Sequence, residues 1–223
     1  MFGVIAAVAI ASVGGLYVMG NALKDFQPGS NKIRKDLDAL IGEMQPALDG
    51  LVPWTHKEME MLSINITDAV YKNRMTKSGR GVLTSIYHEP MAVFAFKAYL
   101  SPKINEVYFV KTSHLEFFYR VRNKYVEVFL NGEKVGLIRD NSEIFDARGR
   151  TKLGFIDRTN LDDHIPVIVQ GKELGRMLQI ERADRVNERA FSFLQKMEPS
   201  DQAVFLAITL FDLISKRVKS NIK

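Results

Sequence analysis

The amino-acid sequence predicts a mainly β protein: a closed antiparallel barrel around a hydrophobic C-terminal helix, preceded by an N-terminal transmembrane helix and a juxtamembrane amphipathic helix. Three observations predict it. Residues 199–219 read as a helix that is apolar on every side, residues 62–197 break into short strand-like runs joined by turn residues, and residues 2–20 carry no charge. The boundaries that follow are 1–23 for the anchor, 24–60 for a helical juxtamembrane segment and 61–223 for the barrel with its central helix.

The C-terminal helix sets the terms for the rest. Ser200 behind Pro199 is its cap, Asp201 lies in the first turn, and Lys216, Arg217 and Lys219 lie in the last, as the helix dipole favours. Between them Ala203, Val204, Phe205, Leu206, Ala207, Ile208, Leu210, Phe211, Leu213 and Ile214 leave almost no polar face, so protein or lipid must enclose the helix. Thr209 and Asp212 interrupt this run, which is too short for a membrane span of roughly 20 residues. A wall from elsewhere in the chain therefore has to surround it. Asp212 then needs a hydrogen-bond partner, or a place where the helix emerges.

With 223 residues the chain has room for one principal domain and an appendage. A composition of 46% hydrophobic and 26% charged residues is that of a folded protein. The net charge of +5 favours an anionic neighbour. The absence of cysteine excludes a disulfide framework, thiolate metal sites and cysteine catalysis.

Residues 2–20 continue without charge to Leu23, long enough to cross a bilayer, and no basic stretch precedes them as in a cleaved signal peptide. Lys24, Lys32, Arg34 and Lys35 follow the span closely, which puts the N-terminus outside and the body on the cytoplasmic or equivalent side. Gly3, Ala7, Ala11 and Gly15 form a small-residue ridge suited to packing against another membrane helix. After a turn at Gln27, Pro28 and Gly29, a helix capped by Ser30 or Asn31 carries Ile33, Leu37, Leu40, Ile41 and Met44 on one stripe, to lie on headgroups or pack on the domain. Pro46, Gly50 and Pro53 end it, and Thr55 with Glu58 has the spacing of a capping box for a further short helix.

From Leu62 the period changes to two, with Leu62, Ile64 and Ile66 alternating with polar residues. Between Tyr71 and Gly81 the apolar signal drops out, leaving Lys72, Arg74, Lys77 and Arg80 without an acid among them, the pattern of a mobile, solvated loop. Strands are then expected at 82–87, 91–100, 106–111, 116–121, 124–130, 134–139, 152–157, 165–170, 173–180 and 190–197, with turns at Asn131-Gly132, Arg148-Gly149 and Gln170-Gly171. Such even spacing argues for a meander that closes as a barrel or folds as a sandwich. Three hairpins share a form in which a turn glycine (Gly132, Gly149, Gly171) precedes a strand glycine (Gly136, Gly154, Gly175), and the second glycine marks a bulge or a close backbone approach.

These hairpins, the turn at 145–149 and the apolar helix at 201–212 together resemble the superfamily of tubby C-terminal, phospholipid scramblase and LURP-one-related domains, over about residues 60–217. The resemblance implies a closed antiparallel barrel threaded by a hydrophobic C-terminal helix, and lipid binding by kinship. The cysteine-rich stretch of animal scramblases is absent, the expected span is N-terminal, and no functional residue of the superfamily is carried onto this chain.

Chemistry is sparse. His56, His88, His114 and His164 form no His-Glu-x-x-His motif, and neither a Gly-x-Ser-x-Gly elbow nor a dinucleotide-binding fingerprint occurs. His114 with Glu116, and Asp162 and Asp163 beside His164, are possible metal ligands, but neighbouring carboxylates in loops more often cap or solvate. Phe117, Phe118, Tyr119, Tyr125 and Phe129 with Arg120, Arg122 and Lys124 resemble a stacking platform for single-stranded nucleic acid, but strand alternation assigns one aromatic row to the core. The expectation is a protein without catalytic residues, cofactor or metal, an uncharacterised hydrolase being the alternative. It is read as a single-pass membrane-anchored module binding anionic lipid headgroups through Lys72, Arg74, Lys77 and Arg80, or a protein partner, and not nucleic acid. The alternative is an accessory subunit of a larger membrane complex, docked or self-associated through the Gly3, Ala7, Ala11 and Gly15 ridge.

Overall fold

A computed structural model describes residues 29–73, 76–100, 106–140, 142–159, 162–182 and 187–221. The expected span and its ridge of Gly3, Ala7, Ala11 and Gly15 lie outside the described residues, among which no helix is long and apolar enough to cross a membrane. The described chain runs α1 (Ser30–Gly42), α2 (Gln45–Leu48), α3 (His56–Met61), β1 (Leu62–Asn73), β2 (Lys77–Ser85), β3 (Pro90–Ala98), β4 (Glu106–Lys111), β5 (Glu116–Val121) and β6 (Val126–Leu130). It continues through β7 (Glu133–Arg139), β8 (Glu143–Asp146), β9 (Lys152–Ile156), β10 (His164–Val169), β11 (Lys172–Leu178), β12 (Phe191–Ser192) and α4 (Pro199–Asn221).

The twelve strands form one antiparallel sheet in chain order, a nearly closed barrel rather than a sandwich. Closure is looser than the expected continuous wall. The segment expected as a strand over 190–197 contributes only the two residues of β12, and isolated hydrogen bonds bridge the seam to β1: Ala190 N–H to Leu62 O at 2.7 Å and Ile64 N–H to Glu188 O at 3.0 Å.

Register shifts bend the wall in β1–β2 and β2–β3 and again in the three glycine hairpins. Val128 pairs with Gly136 while Phe129 pairs with Lys134; Ile144 pairs with Gly154 while Phe145 pairs with Lys152; Val167 pairs with Gly175 while Ile168 pairs with Glu173. One extra residue, Val135, Leu153 or Leu174, is thus inserted just before the second glycine each time, and such bulges bend and twist a strand. All three extra residues pack on the main core. A Cβ on Gly136 or Gly154 would stand 2.7 or 2.6 Å from a carbonyl oxygen of the adjacent strand, so a side chain does not fit there.

Inside the wall lies α4. Residues 205–215 are buried without a break and cluster with inward side chains from the strands around them. Phe205 meets Phe191 at 5.2 Å between ring centroids, and Phe211 meets Tyr119 at 5.1 Å and Tyr108 at 5.6 Å. The polar groups of this stretch are satisfied: Thr209 Oγ1 donates to Phe205 O at 2.7 Å, and Asp212 has partners described below. The helix begins at Pro199, so Ser200 lies in its first turn instead of capping it.

Helix α1 covers the opposite face of the same wall. Ile33, Leu37 and Met44 form a second core with Val82, Val93, Ala95, Val107 and Phe109, so the juxtamembrane stripe packs on the domain. That is why β3 is buried at six consecutive positions, residues 91–96, where a one-sided strand would alternate. Helix α3 follows Thr55 as expected, without a side-chain capping bond.

Two further expectations are corrected. The mobile basic loop between Tyr71 and Gly81 is instead the β1–β2 hairpin, with β2 starting at Lys77. The apolar signal vanishes because Gly79 and Gly81 take inward positions where a Cβ would meet Phe96 and Tyr71, or Ile66 and Phe94, at under 3.0 Å. Strand β8 lies partly where only a turn is expected; the turn follows Asp146, whose carboxylate accepts the Arg150 N–H at 2.7 Å. The backbone N–H groups of Arg150, Thr151 and Arg148 and the charge of Arg150 hold Asp146 below the usual carboxylate range.

Candidate functional site

An antiparallel meander sends alternate turns to opposite ends. The β1–β2, β3–β4, β5–β6 and β7–β8 connections share the end where α4 finishes. The other end is plugged: Trp54 and Met59 are buried in the main core, Trp54 Nε1 donates to Met91 O at 2.5 Å, and Gln202 Nε2 of α4 reaches the Met59 sulfur at 3.0 Å.

The helix-exit end is open and basic. A cavity of about 820 Å³ is lined by Arg122, Lys124, Tyr125, Arg139 and Lys219 together with Glu106 and Asp140. A second, of about 290 Å³, is lined by Lys77, Phe96, Tyr108, Val218 and Lys219, again with Glu106. Lys219 and Glu106 line both, so the two adjoin across the last turn of α4. Glu106 accepts from Tyr108 Oη at 2.9 Å, and burial with that neighbouring carboxylate pushes the phenol's pKa far up, leaving it a neutral donor. Arg122 is engaged with Glu127, and Arg139 stacks over Phe145 at 4.5 Å. Lys77, Lys124 and Lys219 have no carboxylate partner among the described residues. Lys219 belongs at the negative end of a helix dipole, whereas Lys77 and Lys124 come from strand turns and have no such reason to converge.

The structure splits the four cations singled out in the sequence. Lys77 is inward-facing at the mouth, while Lys72 is exposed on the outer face, paired in register with Ser78. Arg80 also faces outward and is salt-bridged to Glu43 at the end of α1, so it is not unopposed. Arg74 lies outside the described residues. Strand alternation places Lys77 and Arg80, three apart, on opposite faces. Lys124 and Lys219 were missed as members of the site. Their signal was turn parity, since the β1–β2 and β5–β6 turns must lie at one end, beside the end of an enclosed helix.

Asp212 lies where α4 nears this end, buried and held by Arg158 and by Lys216 Nζ at 3.2 Å, with Lys216 also 3.0 Å from Glu181. Burial raises the Asp212 pKa although both cations oppose the shift. The histidines do not converge: His88 meets Asn65, His114 meets Ser113, His56 lies 3.9 Å from Glu60, and His164 is half-buried with its Nε2 turned inward. Among the described residues no group of three or more histidine or carboxylate side chains could hold a metal ion. The aromatic platform is divided by the pleat, with Phe117 and Tyr119 in the core and Phe118 and Phe129 half-buried outside.

A scan against family models, a search of curated proteins and a search of solved structures each return no match to this chain.

Proposed function

We propose that this chain is a membrane-anchored binding module whose barrel presents the basic mouth around the end of α4 to anionic lipid headgroups. The observation that carries the proposal is the convergence of Lys77, Lys124 and Lys219 on two adjoining cavities without a carboxylate partner among the described residues. All three are exposed, and cations so clustered attract phosphate and carboxylate, an attraction that salt weakens. The uncharged stretch at 2–20 supports the anchoring half of the reading, and the resemblance to the tubby and scramblase superfamily supports its lipid half. The headgroup site is accordingly centred on Lys77, with Lys124 and Lys219 in place of Lys72 and Arg80.

The test holds the full chain in neutral phosphatidylcholine nanodiscs and measures co-flotation with added phosphatidylserine vesicles. Binding is expected at about 0.1 M salt, falling several-fold near 1 M as the Debye length shrinks from about 10 to 3 Å. It should be lost in the triple variant Lys77→Gln, Lys124→Gln, Lys219→Gln. Equal binding to neutral vesicles, or a triple variant that floats like the parent, would overturn the proposal.

A further inference from the structure

The outer wall carries a feature that the barrel does not require. Phe109, Phe118 and Phe129 are consecutive cross-strand partners on β4, β5 and β6, a ladder of three phenylalanines on the face turned away from the main core. Helix α1 lies beside this ladder, over the neighbouring strands: its Asp36 bonds Lys97 of β3, and Glu43, just past its end, pairs with Arg80 of β2. It seals only the first rung: Phe109 is 4% exposed, whereas Phe118 and Phe129 are half-buried. The remaining space is a trench of about 470 Å³ between the ladder and the side of α1 that bears Ile33, Leu37 and Ile41. Ile33 and Ile41 are eight residue steps apart, so the trench wall runs about 12 Å at 1.5 Å per residue. A trench of that length, apolar along its floor and charged at its rim, takes the first half of a long alkyl chain.

Its rim carries charge of both signs, but the excess is positive. Arg34 stands at the rim without a partner among the described residues, and Arg120 lies over the Phe129 ring at 5.9 Å. Arg120 shares Glu127 with Arg122 and Lys134, three cations on one carboxylate. Against these stand Asp38, which is exposed, and Glu116, whose charge is taken up by Lys111 at 3.5 Å.

We propose that this trench is a binding site for a single-chain anionic amphiphile, a long-chain fatty acid the carboxyl-proximal half of whose tail lies along the phenylalanine ladder and whose carboxylate meets Arg34 and Arg120. This site is on the side wall, separate from the basic mouth, and does not depend on the headgroup reading.

The experiment photolabels the full chain in phosphatidylcholine nanodiscs with a diazirine-bearing stearic acid and maps adducts by mass spectrometry. Adducts are expected in 33–41 and 109–129, displaced by oleate at least tenfold more effectively than by oleyl alcohol. Phe129→Glu should cut the yield at least fivefold. Arg34→Gln, an exposed position that folding does not need, should erase the preference for oleate over the alcohol. If Phe129→Glu lowers the thermal midpoint, Arg34→Gln decides alone. Adducts spread evenly over the surface, adducts confined to residues before 29, or equal displacement by the alcohol would each overturn the site.

Discussion

Two helices rest against opposite faces of one curved sheet, and they differ in how far round the axis their apolar residues extend. Helix α4 is buried over eleven consecutive residues, 205–215, and lies within the wall. Helix α1, over its described side chains 31–42, buries only Ile33 and Leu37 and lies on the wall's outside. The width of the apolar surface thus determines the side: a helix without a polar face can be satisfied only by enclosure, while a striped one needs a single surface. The wall answers each differently. Behind α4 it bends with bulged glycine hairpins, and beneath α1 it makes β3 apolar on both faces.

The comparison is broken most directly from the inside. Phe205→Ala removes a ring that is 0% exposed and packed on Phe191. A loss of about 4 kcal/mol is expected, because an enclosed site cannot collapse around the cavity. Urea unfolding should show one transition with a lowered midpoint; a loss below about 1 kcal/mol would mean that the helix is not held by the wall.

The second effect falls on the wall itself. Gly154→Val drives a Cβ to 2.6 Å from the Ile168 carbonyl oxygen, where only backbone movement gives relief, so a loss of about 3 kcal/mol is expected. Gly132→Ala is the control with respect to packing, since a Cβ there meets nothing within 4 Å and only its positive φ of 86° opposes the change. If the two variants cost the same, the bulge glycines do not set the curvature.

The third effect concerns α1. Leu37→Ala should cost about 2 kcal/mol, near the low end for leucine truncation, since an edge site relaxes more readily than an enclosed one. It should also act locally. Amide exchange in α1 is expected to accelerate while α4 stays protected, because a helix laid on a surface can lift without opening the barrel. Equal acceleration in both helices would make them one cooperative unit.

This difference between the helices was readable before any coordinates, and so was most of the wall. The run through Leu210 and Ile214 demanded enclosure, and the stripe through Ile33 and Leu37 fitted a surface. Strands β4 and β5 begin and end where period and turn residues placed them. What escaped notice had one physical cause, namely residues that serve the fold without being apolar. Gly79 and Gly81 occupy core-facing positions because the neighbouring rings already fill the space, which made a strand look like a loop. Strand β8 is only four residues long, and its closing Asp146 accepts turn hydrogen bonds, so its turn chemistry hid its pairing. The candidate mouth was half legible. Lys77 stood out by charge, but Lys124 and Lys219 are separated from it in sequence and meet it only once the turns are assigned to ends.

The smallest expected effect contrasts two charges, one on each side of the wall. Glu127, on the outer face, is opposed by burial, but Arg120, Lys134 and Arg122 outweigh that cost and hold its carboxyl below the usual range. Its folded pKa being lowered, its contribution is present above the ordinary glutamate value and disappears as pH falls through the folded one. Asp212, on the enclosed helix, is shifted upward by burial despite Arg158 and Lys216. The sign reverses: its contribution is present below the ordinary aspartate value and is lost as pH rises through the folded pKa. Glu127→Gln should therefore cost about 1 kcal/mol at pH 7 and progressively less toward acid, since the parent loses the same charge there. Asp212→Asn should behave oppositely, gaining on the parent as pH rises above the usual aspartate range. Chemical denaturation of both variants across pH 3–8 reads the two slopes. Parallel slopes would mean that the wall does not separate a dry interior from a solvated face at these two positions, and the distinction between the enclosed and the surface helix would have to rest on packing alone.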